Sequence, residues 1–456
     1  MQSPFTVEWL REQIQEGKID TVLVAFPDQF GRLLGKRCTG SYFLDQVLSS
    51  GIDLCSYLLA ADLEMNPLPG FEMTSWEKGY GDFHGVPDLA TLRPLHWLNG
   101  TALVLADLTW ETGAPVTQSP RAILKNQLER VRERGLFPRM GSELEFYLFI
   151  ESEEELGAPP RQYRNPTPST HGLIDYHILS TTRDEGVIRE IRNRMDSSGI
   201  PIEFSKGEWG QGQHEINLRY CDALEMADRH VIYKNGVKEI AWQQGGSVSF
   251  MAKYDARAAG SGFHIHTSVT GPDGVENLFW DPANNRGSIL FRQFLGGLLR
   301  YTGEFFLFFA SAINSYKRYQ EASFAPTRLV WSEDNRTAGF RVIGHGPSFR
   351  IENRLPGADA NPYLAFAATL AAGLAGIEEQ LDCGDPYRGN AYLDTSLPQI
   401  PLNLIQAADL LDQSPLARKA FGEDVVKHYV HLARMEQKAF DNAVTDWERK
   451  RYFDQI

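Results

Sequence analysis

The chain has few cysteines, and they are too scattered to form a framework. Four occur among 456 residues, with no Cys-x-x-Cys pair. Zinc knuckles need clustered thiolates, and disulfide scaffolds need a dense and regular spacing of cysteines. The sequence therefore indicates neither of these two classes.

The chain also lacks an excess of basic residues. It has 45 Lys and Arg against 59 Asp and Glu, and a formal net charge of −14. Because nucleic-acid backbones are bound by basic stripes, we expect no nucleic-acid partner. Arginine is nevertheless concentrated in NSYKR (314–318) and in residues 336–354, so basic groups could bind an acidic substrate locally.

No hydrophobic run is long enough to cross a bilayer. FFLFFASAI (305–313) and YLAFAATLAAGLAGI (363–377) are shorter than the roughly 20 residues that a membrane helix needs, and both are interpreted as buried core helices. The first 17 residues have the pattern of an amphipathic helix rather than of a signal peptide. We therefore expect a cytoplasmic protein without a membrane partner.

The length suggests more than one domain. Residues 1–112 contain short strand-like runs such as TVLVAF (21–26), and 64–88 is a long stretch rich in glycine and proline that predicts a loop. A Ser-Pro pair then starts a helical pattern over 121–135. We place the domain boundary so that one domain spans 1–112 and the other 113–456.

The second domain mixes strand and helix patterns. Strand-like segments lie at 141–150, 214–220, 263–269 and 348–355. Helical patterns lie at 183–198, 222–244, 288–311, 361–381 and 403–453. The fold class is therefore predicted to be α+β, with a small N-terminal and a large C-terminal domain.

Two glycine-containing stretches resemble phosphate-binding motifs but do not match them. GRLLGKR (31–37) has one spacer residue too few and ends in arginine where Ser or Thr is needed. WGQGQHE (209–215) has two of the three glycines of a dinucleotide fingerprint. Both are interpreted as turns.

Two glutamates interrupt the apolar strand GSELEFYLF (141–149). Alternate side chains of a strand share a face, so Glu143 and Glu145 point the same way, and Leu144 and Phe146 point toward a core. Charged groups on such an apolar strand cost several kcal/mol unless something compensates them.

Charged or polar side chains on an otherwise apolar, strand-like segment recur in three further places. The side chains concerned are Glu208 and Glu215 in GEWGQGQHEINLRY, His264 and His266 in SGFHIHTSV, and Arg350, Glu352 and Arg354 in SFRIENRLPG. Each alone is compatible with a solvated sheet face, a satisfied core histidine or a cross-strand ion pair. Together, five glutamates and a histidine around one cavity would need a cationic neutraliser.

Hard divalent cations suit this ligand set. Carboxylates with one imidazole favour Mg²⁺ or Mn²⁺ over zinc, and six protein ligands exceed what one Mg²⁺ takes. We therefore predict two ions per site. Paired ions next to arginines are typical of enzymes that bind nucleotide phosphates.

The order of the motifs ELEF, GEWGQGQHE, GSGFHIHTS, NSYKR, NRTAGFR and RIENRLPGADANPYLAFAA resembles the glutamine synthetase family in its bacterial type. The resemblance implies a β-grasp N-terminal domain and a catalytic domain with a curved antiparallel sheet flanked by helices. It also implies ATP as cofactor, and a homo-oligomer, commonly a dodecamer of two hexameric rings with shared active sites.

The resemblance also implies roles for single residues. The ligands of one metal ion would be Glu145, Glu208 and Glu215, and those of the other Glu143, His264 and Glu352. Nucleotide contacts would come from Glu203, Tyr220, His266, Ser268 and Arg341. The acid substrate would be held by Gly260, Arg318 and Arg354, and the catalytic arginines would be Arg336 and Arg354.

Three departures from the family pattern bear on the amine substrate. The flap position that carries a glutamate in true glutamine synthetases is Ala325, the usual Asn-Gly is Ala259-Gly260, and residues 55–82 replace an Asp-Gly-Ser-Ser loop. Two of these changes remove groups that handle ammonium, so space is left for a bulkier primary amine. The leading hypothesis is an ATP-dependent ligase that joins glutamate, or a related acid, to a primary amine through an acyl phosphate.

Two alternatives stay open at this point. One is a true glutamine synthetase that uses ammonia, with Glu321 as its flap acid. The other is a catalytically inactive relative with a binding role. For an active enzyme, replacing Glu145 or Glu352 is expected to abolish turnover, with the fold kept or even stabilised because a repelling charge is removed.

Overall fold

The computed structural model describes residues 5–456. Its strands are β1 Thr21–Pro27, β2 Leu33–Thr39, β3 Ile52–Cys55, β4 Asp82–Pro94, β5 Thr101–Thr109, β6 Phe137–Phe149, β7 Ile202–Gly207, β8 Gln213–Asp222, β9 Ser247–Ser249, β10 Phe263–Thr270, β11 Trp280–Asp281, β12 Arg286–Gly287, β13 Trp331–Glu333, β14 Phe340–Ile343 and β15 Arg350–Asn353. Its helices are α1 Val7–Gln15, α2 Gly40–Tyr42, α3 Leu48–Ser50, α4 Pro120–Arg132, α5 Glu153–Gly157, α6 Ile178–Thr181, α7 Glu185–Ser197, α8 Ala223–Gln243, α9 Ile289–Tyr301, α10 Pro362–Glu378, α11 Leu404–Gln413, α12 Pro415–Phe421, α13 Glu423–Asn442 and α14 Asp446–Tyr452.

The first sheet lies within the N-terminal part of the chain. Its strands run in the order β2-β1-β5-β4-β3. β1 is parallel to β5, and the other neighbours are antiparallel. Val22, Val24 and Phe26 alternate along β1 and are buried, as the period of a strand predicts.

The predicted loop over 64–88 is partly wrong. The strand β4 begins at Asp82, inside that stretch. Phe71, in the irregular part, is buried against the rings of His428 and His431, whose centroids lie 4.8 and 4.7 Å from its own. An aromatic contact with helix α13 therefore anchors this segment, a tertiary effect that local composition does not reveal.

The second sheet positions the candidate site. Its strands run in the order β13-β14-β15-β10-β6-β8-β7, and β9 pairs with β6. The pairs are antiparallel except β13 with β14, which is parallel. One face of the sheet packs on helices through side chains such as Leu144, Phe146 and Phe263, which are fully buried. The other face carries the polar residues of the site.

Of the two apolar runs interpreted as core helices, 363–377 lies in an α-helix and 305–313 does not. Helix α10 is buried along nearly its whole length, as expected for a helix that is apolar all round. The predicted helix over 288–311 is too long, because α9 ends at Tyr301 and a 3₁₀ turn follows at Phe306–Phe308. Gly303, which follows the end of α9, has a low helix propensity that favours this break.

A buried arginine joins the two parts of the chain. Arg121 of α4 is 1% exposed and forms ion pairs with Asp88 of β4, Asp107 of β5 and Asp228 of α8. Burial opposes the charge most strongly, but the charge and hydrogen bond of Asp228 and the charge of Asp107 together outweigh it and raise the pKa of Arg121. A fully paired buried charge of this kind is costly to break, so the network fixes the N-terminal sheet on the helices.

Within residues 5–456, no helix has both the length and the apolar character required to span a membrane.

Candidate active site

Cross-strand register brings the acidic side chains together. Glu143 lies opposite His264 on the neighbouring strand β10, and Glu145 lies opposite Glu215 on β8. On the far side of β10, His266 lies opposite Glu352 of β15. Side chains directly opposite on one sheet face have Cβ atoms about 4.5–5.5 Å apart, so these groups interact.

All of these side chains except Glu352 line a cavity of about 970 Å³. Among the residues predicted for the site, the cavity is lined by Glu143, Glu145, Glu208, Glu215, Gly260, His264, His266, Arg318, Arg336, Arg341 and Arg354. A cavity of this size is large enough for a nucleotide or for two small substrates.

Glu352 lies behind the wall of the cavity and is 1% exposed. Its carboxylate accepts hydrogen bonds from Arg354 and, at 2.9 Å, from Nη1 of Arg341. It also lies 3.7 Å from Nδ1 of His264. Burial raises the pKa of Glu352, but the charges of Arg354 and of the two histidines overcome this and hold that pKa at about 2.

One acidic cluster consists of Glu145, Glu208 and Glu215, each of which offers a carboxylate oxygen within 4.8 Å of the others. Burial, followed by the charge of Glu208, raises the pKa of Glu145 to about 8. Burial and the carboxylates of Glu143 and Glu208 raise the pKa of Glu215 well above its usual range. The cluster thus has a deficit of positive charge, and its all-oxygen donor set fits a hard divalent cation.

Glu143 connects this cluster to a second group. Its oxygens lie 3.0 Å from Nδ1 of His264 and 2.9 Å from Nε2 of His266. Burial opposes its charge, but these hydrogen bonds hold the pKa of Glu143 well below its usual range. Glu143 can share a cation with Glu215 and His264, or with His266 and Glu352.

A glycine keeps the space between the groups open. A Cβ on Gly262 would lie 2.8 Å from Nη2 of Arg318, 2.9 Å from Nε2 of His264 and 3.3 Å from Oε1 of Glu145. The backbone N–H of Gly262 donates to Glu145 at 2.8 Å. Any larger residue would therefore push apart the acidic and the basic groups of the cavity.

Arg318, one of the two arginines predicted to hold the acid substrate, lies beside Gly260. Nη1 and Nη2 of Arg318 donate to the carbonyls of Leu355 and Arg354, at 2.9 and 3.3 Å. A Cβ on Gly260 would lie 2.7 Å from Cγ of Arg318. The guanidinium group is thereby held against the backbone at the cavity wall.

Three predicted nucleotide residues do not line the cavity. Glu203 is exposed beside Phe204, which does line it. Tyr220 is 59% exposed on β8, with the guanidinium carbon of Arg139 5.9 Å from its ring centre. Ser268 is half-buried on β10, two residues beyond His266. They lie on three strands of the sheet, β7, β8 and β10, outside the cavity.

Sequence reasoning missed several residues of the wall. The ammonium group of Lys206 contacts the carboxylate of Glu208 and lies 3.3 Å from that of Asp175. Gln213 donates to Glu145 at 3.2 Å and to the carbonyl of Gly260 at 3.0 Å. Lys206 lies opposite Glu215 in the register of β7 and β8, a pairing that the sequence alone does not reveal.

The flap, residues 317–328, does not offer the free space that the sequence predicts at Ala325. That side chain is 2% exposed and does not line the cavity, whereas its neighbour Phe324 is 50% exposed and does. The space expected at Ala325 is therefore not part of the cavity, and an aromatic ring forms the wall there. Glu321, the alternative flap acid, also lines the cavity.

A mainly antiparallel sheet brings carboxylates, imidazoles and guanidinium groups into one cavity, an arrangement typical of enzymes that bind divalent cations and phosphate groups. Comparison with known proteins identifies the family. The protein-family model described as glutamine synthetase, catalytic domain, matches residues 117–452 of the chain. The chain belongs to the glutamine synthetase family.

Individual relatives cover the chain almost completely. It is 49% identical to gamma-glutamylethanolamide synthetase GlnA4 of Streptomyces coelicolor, over 99% of this chain and 96% of that protein. It is 36% identical to glutamate–isopropylamine ligase of a Pseudomonas species, over 98% of both chains. The solved structure of a GmaS/ADP complex (conformation 1) superimposes with a TM-score of 0.84 at 29% identity, covering 98% of this chain and 99% of that one.

Proposed function

We propose that this protein is an ATP-dependent ligase that forms a γ-glutamyl amide from glutamate, or a related acid, and a primary amine. The observation that carries this proposal is the convergence of two carboxylate-rich groups and several arginines on one cavity. The names of the relatives, an ethanolamide synthetase and an isopropylamine ligase, support an amine as the second substrate.

Two divalent cations, Mg²⁺ or Mn²⁺, fit the donor set. We assign one ion to Glu145, Glu208 and Glu215, and the other to Glu143, His264 and Glu352. When bound, the ions would supply Lewis-acid charge that offsets the negative charge of the transferring phosphoryl group. The raised pKa values of Glu145 and Glu215 support this assignment, since a bound cation would remove the repulsion that raises them.

The arginines supply the remaining positive charge. Arg341 and Arg336 would hold the phosphates of ATP, and Arg318, with Arg354 and the backbone at Gly260, would hold the acid substrate. Permanently charged, planar guanidinium groups suit phosphate and carboxylate oxygens. His266 would contact the nucleotide at the cavity, and Glu203, Tyr220 and Ser268 would extend that contact along the sheet.

In the proposed reaction, an oxygen of the substrate γ-carboxylate attacks the γ-phosphorus of ATP, and ADP leaves. The amine nitrogen then attacks the acyl carbon, inorganic phosphate leaves, and the amine loses a proton. Arg336 and Arg354 would neutralise the charge that develops on the transferring and leaving oxygens. Closure of the cavity around the acyl phosphate would exclude water, which would otherwise hydrolyse it.

One observation favours ammonia as an alternative amine donor. Glu321 lines the cavity close to Phe324, so a carboxylate is available near the flap. Against this, Phe324 presents an apolar ring where ammonium would need fixed negative groups to compensate its lost hydration.

The two functions are separated by their nitrogen substrates. We expect ADP release with ATP, Mg²⁺ and glutamate to be stimulated by small primary amines with a kcat/KM at least about tenfold above that for ammonium, because a hydrophobic wall gains contacts from each added carbon. A coupled assay across a panel of amines measures this. If ammonium saturates the enzyme at low concentration and no amine has a higher kcat/KM, the protein is a glutamine synthetase. If no nitrogen donor stimulates ADP release, it is an inactive relative.

The finer architecture is also a proposal. We divide the chain into a β-grasp domain over 1–112 and a catalytic domain over 113–456. The mixed five-stranded sheet with a central parallel pair supports the first assignment. As the family resemblance implies, the protein would assemble as a dodecamer of two hexameric rings with shared active sites.

A further inference from the structure

Two aromatic rings from distant parts of the chain meet on the cavity wall. Trp209 is 53% exposed, Phe324 is 50% exposed, and both line the cavity. Their ring centroids lie 5.9 Å apart at an angle of 60°. Half-exposed aromatic rings facing a cavity otherwise rich in charged groups are a natural contact surface for the apolar part of a ligand.

The turn that carries Trp209 is held in place. The backbone N–H of Trp209 lies 3.3 Å from the carboxylate of Glu208, and that of Gly210 donates to Oε1 of Gln213 at 2.8 Å. A Cβ at Gly210 would overlap the hydroxyl of Tyr147, so the turn lies directly against the strand beneath it. The backbone that carries Trp209 is therefore anchored, next to one proposed cation ligand.

The flap holds Phe324 in an unusual conformation. Ala322 and Phe324 have φ values of +56° and +58°, which non-glycine residues adopt rarely. The hydroxyl of Ser323, between them, donates to the carbonyl of Gln320 at 2.6 Å. Such conformations are strained, and they cluster at functional sites.

The charge of the wall bears on which amines would fit. Basic side chains outnumber carboxylates around the cavity by eight to six, and the charge of the proposed cations would be offset by the phosphates of ATP and the acid substrate. The carboxylate of Glu208 is already paired with Lys206, whose ammonium group lies 4.3 Å from the centre of the Tyr176 ring. A second ammonium group on the acceptor would have Glu321 as a partner but would face this net positive field.

We infer that Trp209 and Phe324 form the acceptor-specificity wall, and that they select primary monoamines with a small uncharged substituent over ammonium and over diamines. This inference rests on the proposed function, since it specifies the amine of that reaction. The amino group would point toward the acyl phosphate, and the organic substituent would lie against the two rings.

The test compares the wild type with Trp209→Ala and Phe324→Ala. The amines are isopropylamine, ethanolamine, propylamine, putrescine and ammonium, at saturating ATP and glutamate. Each substitution is expected to lower kcat/KM for the monoamines about tenfold or more, mainly through KM, and to change kcat/KM for ammonium less than threefold. KM for ATP and for glutamate should stay within about twofold of the wild type.

Two further variants provide controls. Trp242→Ala removes a tryptophan that is 55% exposed on α8, and its Nε1 donates to Glu154 rather than contacting the cavity. It should leave all constants unchanged. Phe324→Leu keeps an apolar side chain on the flap and should restore part of the monoamine activity that Phe324→Ala loses, which a general folding defect would not predict.

Three results would overturn the inference while leaving the proposed function standing: a wild-type preference for putrescine over the monoamines, an equal loss of activity toward ammonium and monoamines in both alanine variants, or no loss in either. If the wild type uses no amine better than ammonium, the proposed function fails together with the inference. The preference of the wild type between amines and ammonium therefore shows whether the proposed function fails or only the inference about the two rings.

Discussion

Replacing Glu145 with glutamine is expected to lower turnover by more than about 100-fold and, at the same time, to stabilise the metal-free protein. The loss of activity follows because Glu145 is a proposed cation ligand, and even residues that only support a ligand typically cost 10–100-fold when changed. The gain in stability follows because this carboxylate is buried among others and gains too little positive charge in return.

The raised pKa of Glu145 determines how the stability of the protein changes with pH. The pKa of Glu145 is raised to about 8 in the folded protein, from 4.5 in an unfolded chain. Between pH 4.5 and 8, the folded state therefore holds a proton that the unfolded state has lost. Stability from this group falls as the pH rises through that window. Glutamine cannot titrate, so the variant should lose this slope and melt roughly 2–4 °C higher at pH 7.

The measurement is thermal unfolding in a metal chelator at pH 5, 6, 7 and 8, together with ADP release at saturating substrates. Glu333→Gln is the matched control, because it changes an exposed glutamate on β13 of the same sheet, outside the cavity. Near-normal turnover in Glu145→Gln would remove it from the ligand set. An unchanged slope of stability with pH would contradict the charge deficit.

Replacing Glu352 with glutamine is expected to abolish turnover to a similar extent but to destabilise the protein. Both substitutions remove a buried carboxylate, yet Glu352 is paired with Arg354 and Arg341, and Glu145 is not bonded to a cationic side chain in this way. Removing one partner of a buried ion pair leaves an uncompensated charge, which costs about 3–5 kcal/mol. The ion pairs thus revise the sequence-based expectation that this substitution would keep or raise stability.

The stability contributed by Glu352 changes with pH in the opposite direction to that contributed by Glu145. Its pKa is held at about 2, below the unfolded value of 4.5. Its stabilising contribution is therefore fully present above pH 4.5 and is lost as the pH falls toward 2. Chemical denaturation at pH 7 should show a lower midpoint for Glu352→Gln and a higher one for Glu145→Gln. Two variants that shift the same way would contradict the electrostatics described here.

The period of a β-strand explains why so much of the site is predictable from the sequence. Charged residues at alternate positions of an apolar strand must share a face, so the strand pattern alone places Glu143 and Glu145 together. The same rule places His264 with His266. The strands that carry these two pairs are neighbours in the sheet, and the family resemblance rather than the pattern indicates this pairing.

The flap and the long N-terminal segment are less predictable, for physical reasons. The flap depends on positive φ angles at Ala322 and Phe324, which no local propensity indicates, so the sequence does not reveal the buried position of Ala325. The segment over 64–88 is fixed by the contact of Phe71 with α13, which lies near the other end of the chain. Contacts between such distant residues leave no periodic signal in the sequence.

The central claim is that the two carboxylate-rich groups hold a pair of divalent cations beneath the phosphates of ATP. Crystals grown with Mn²⁺ and a non-hydrolysable ATP analogue, measured at the manganese absorption edge, test it most directly. The expected result is two anomalous peaks per chain, one bonded to Glu145, Glu208 and Glu215 and the other to Glu143, His264 and Glu352. No peak at these carboxylates, or manganese held elsewhere while the nucleotide is bound, would contradict the account.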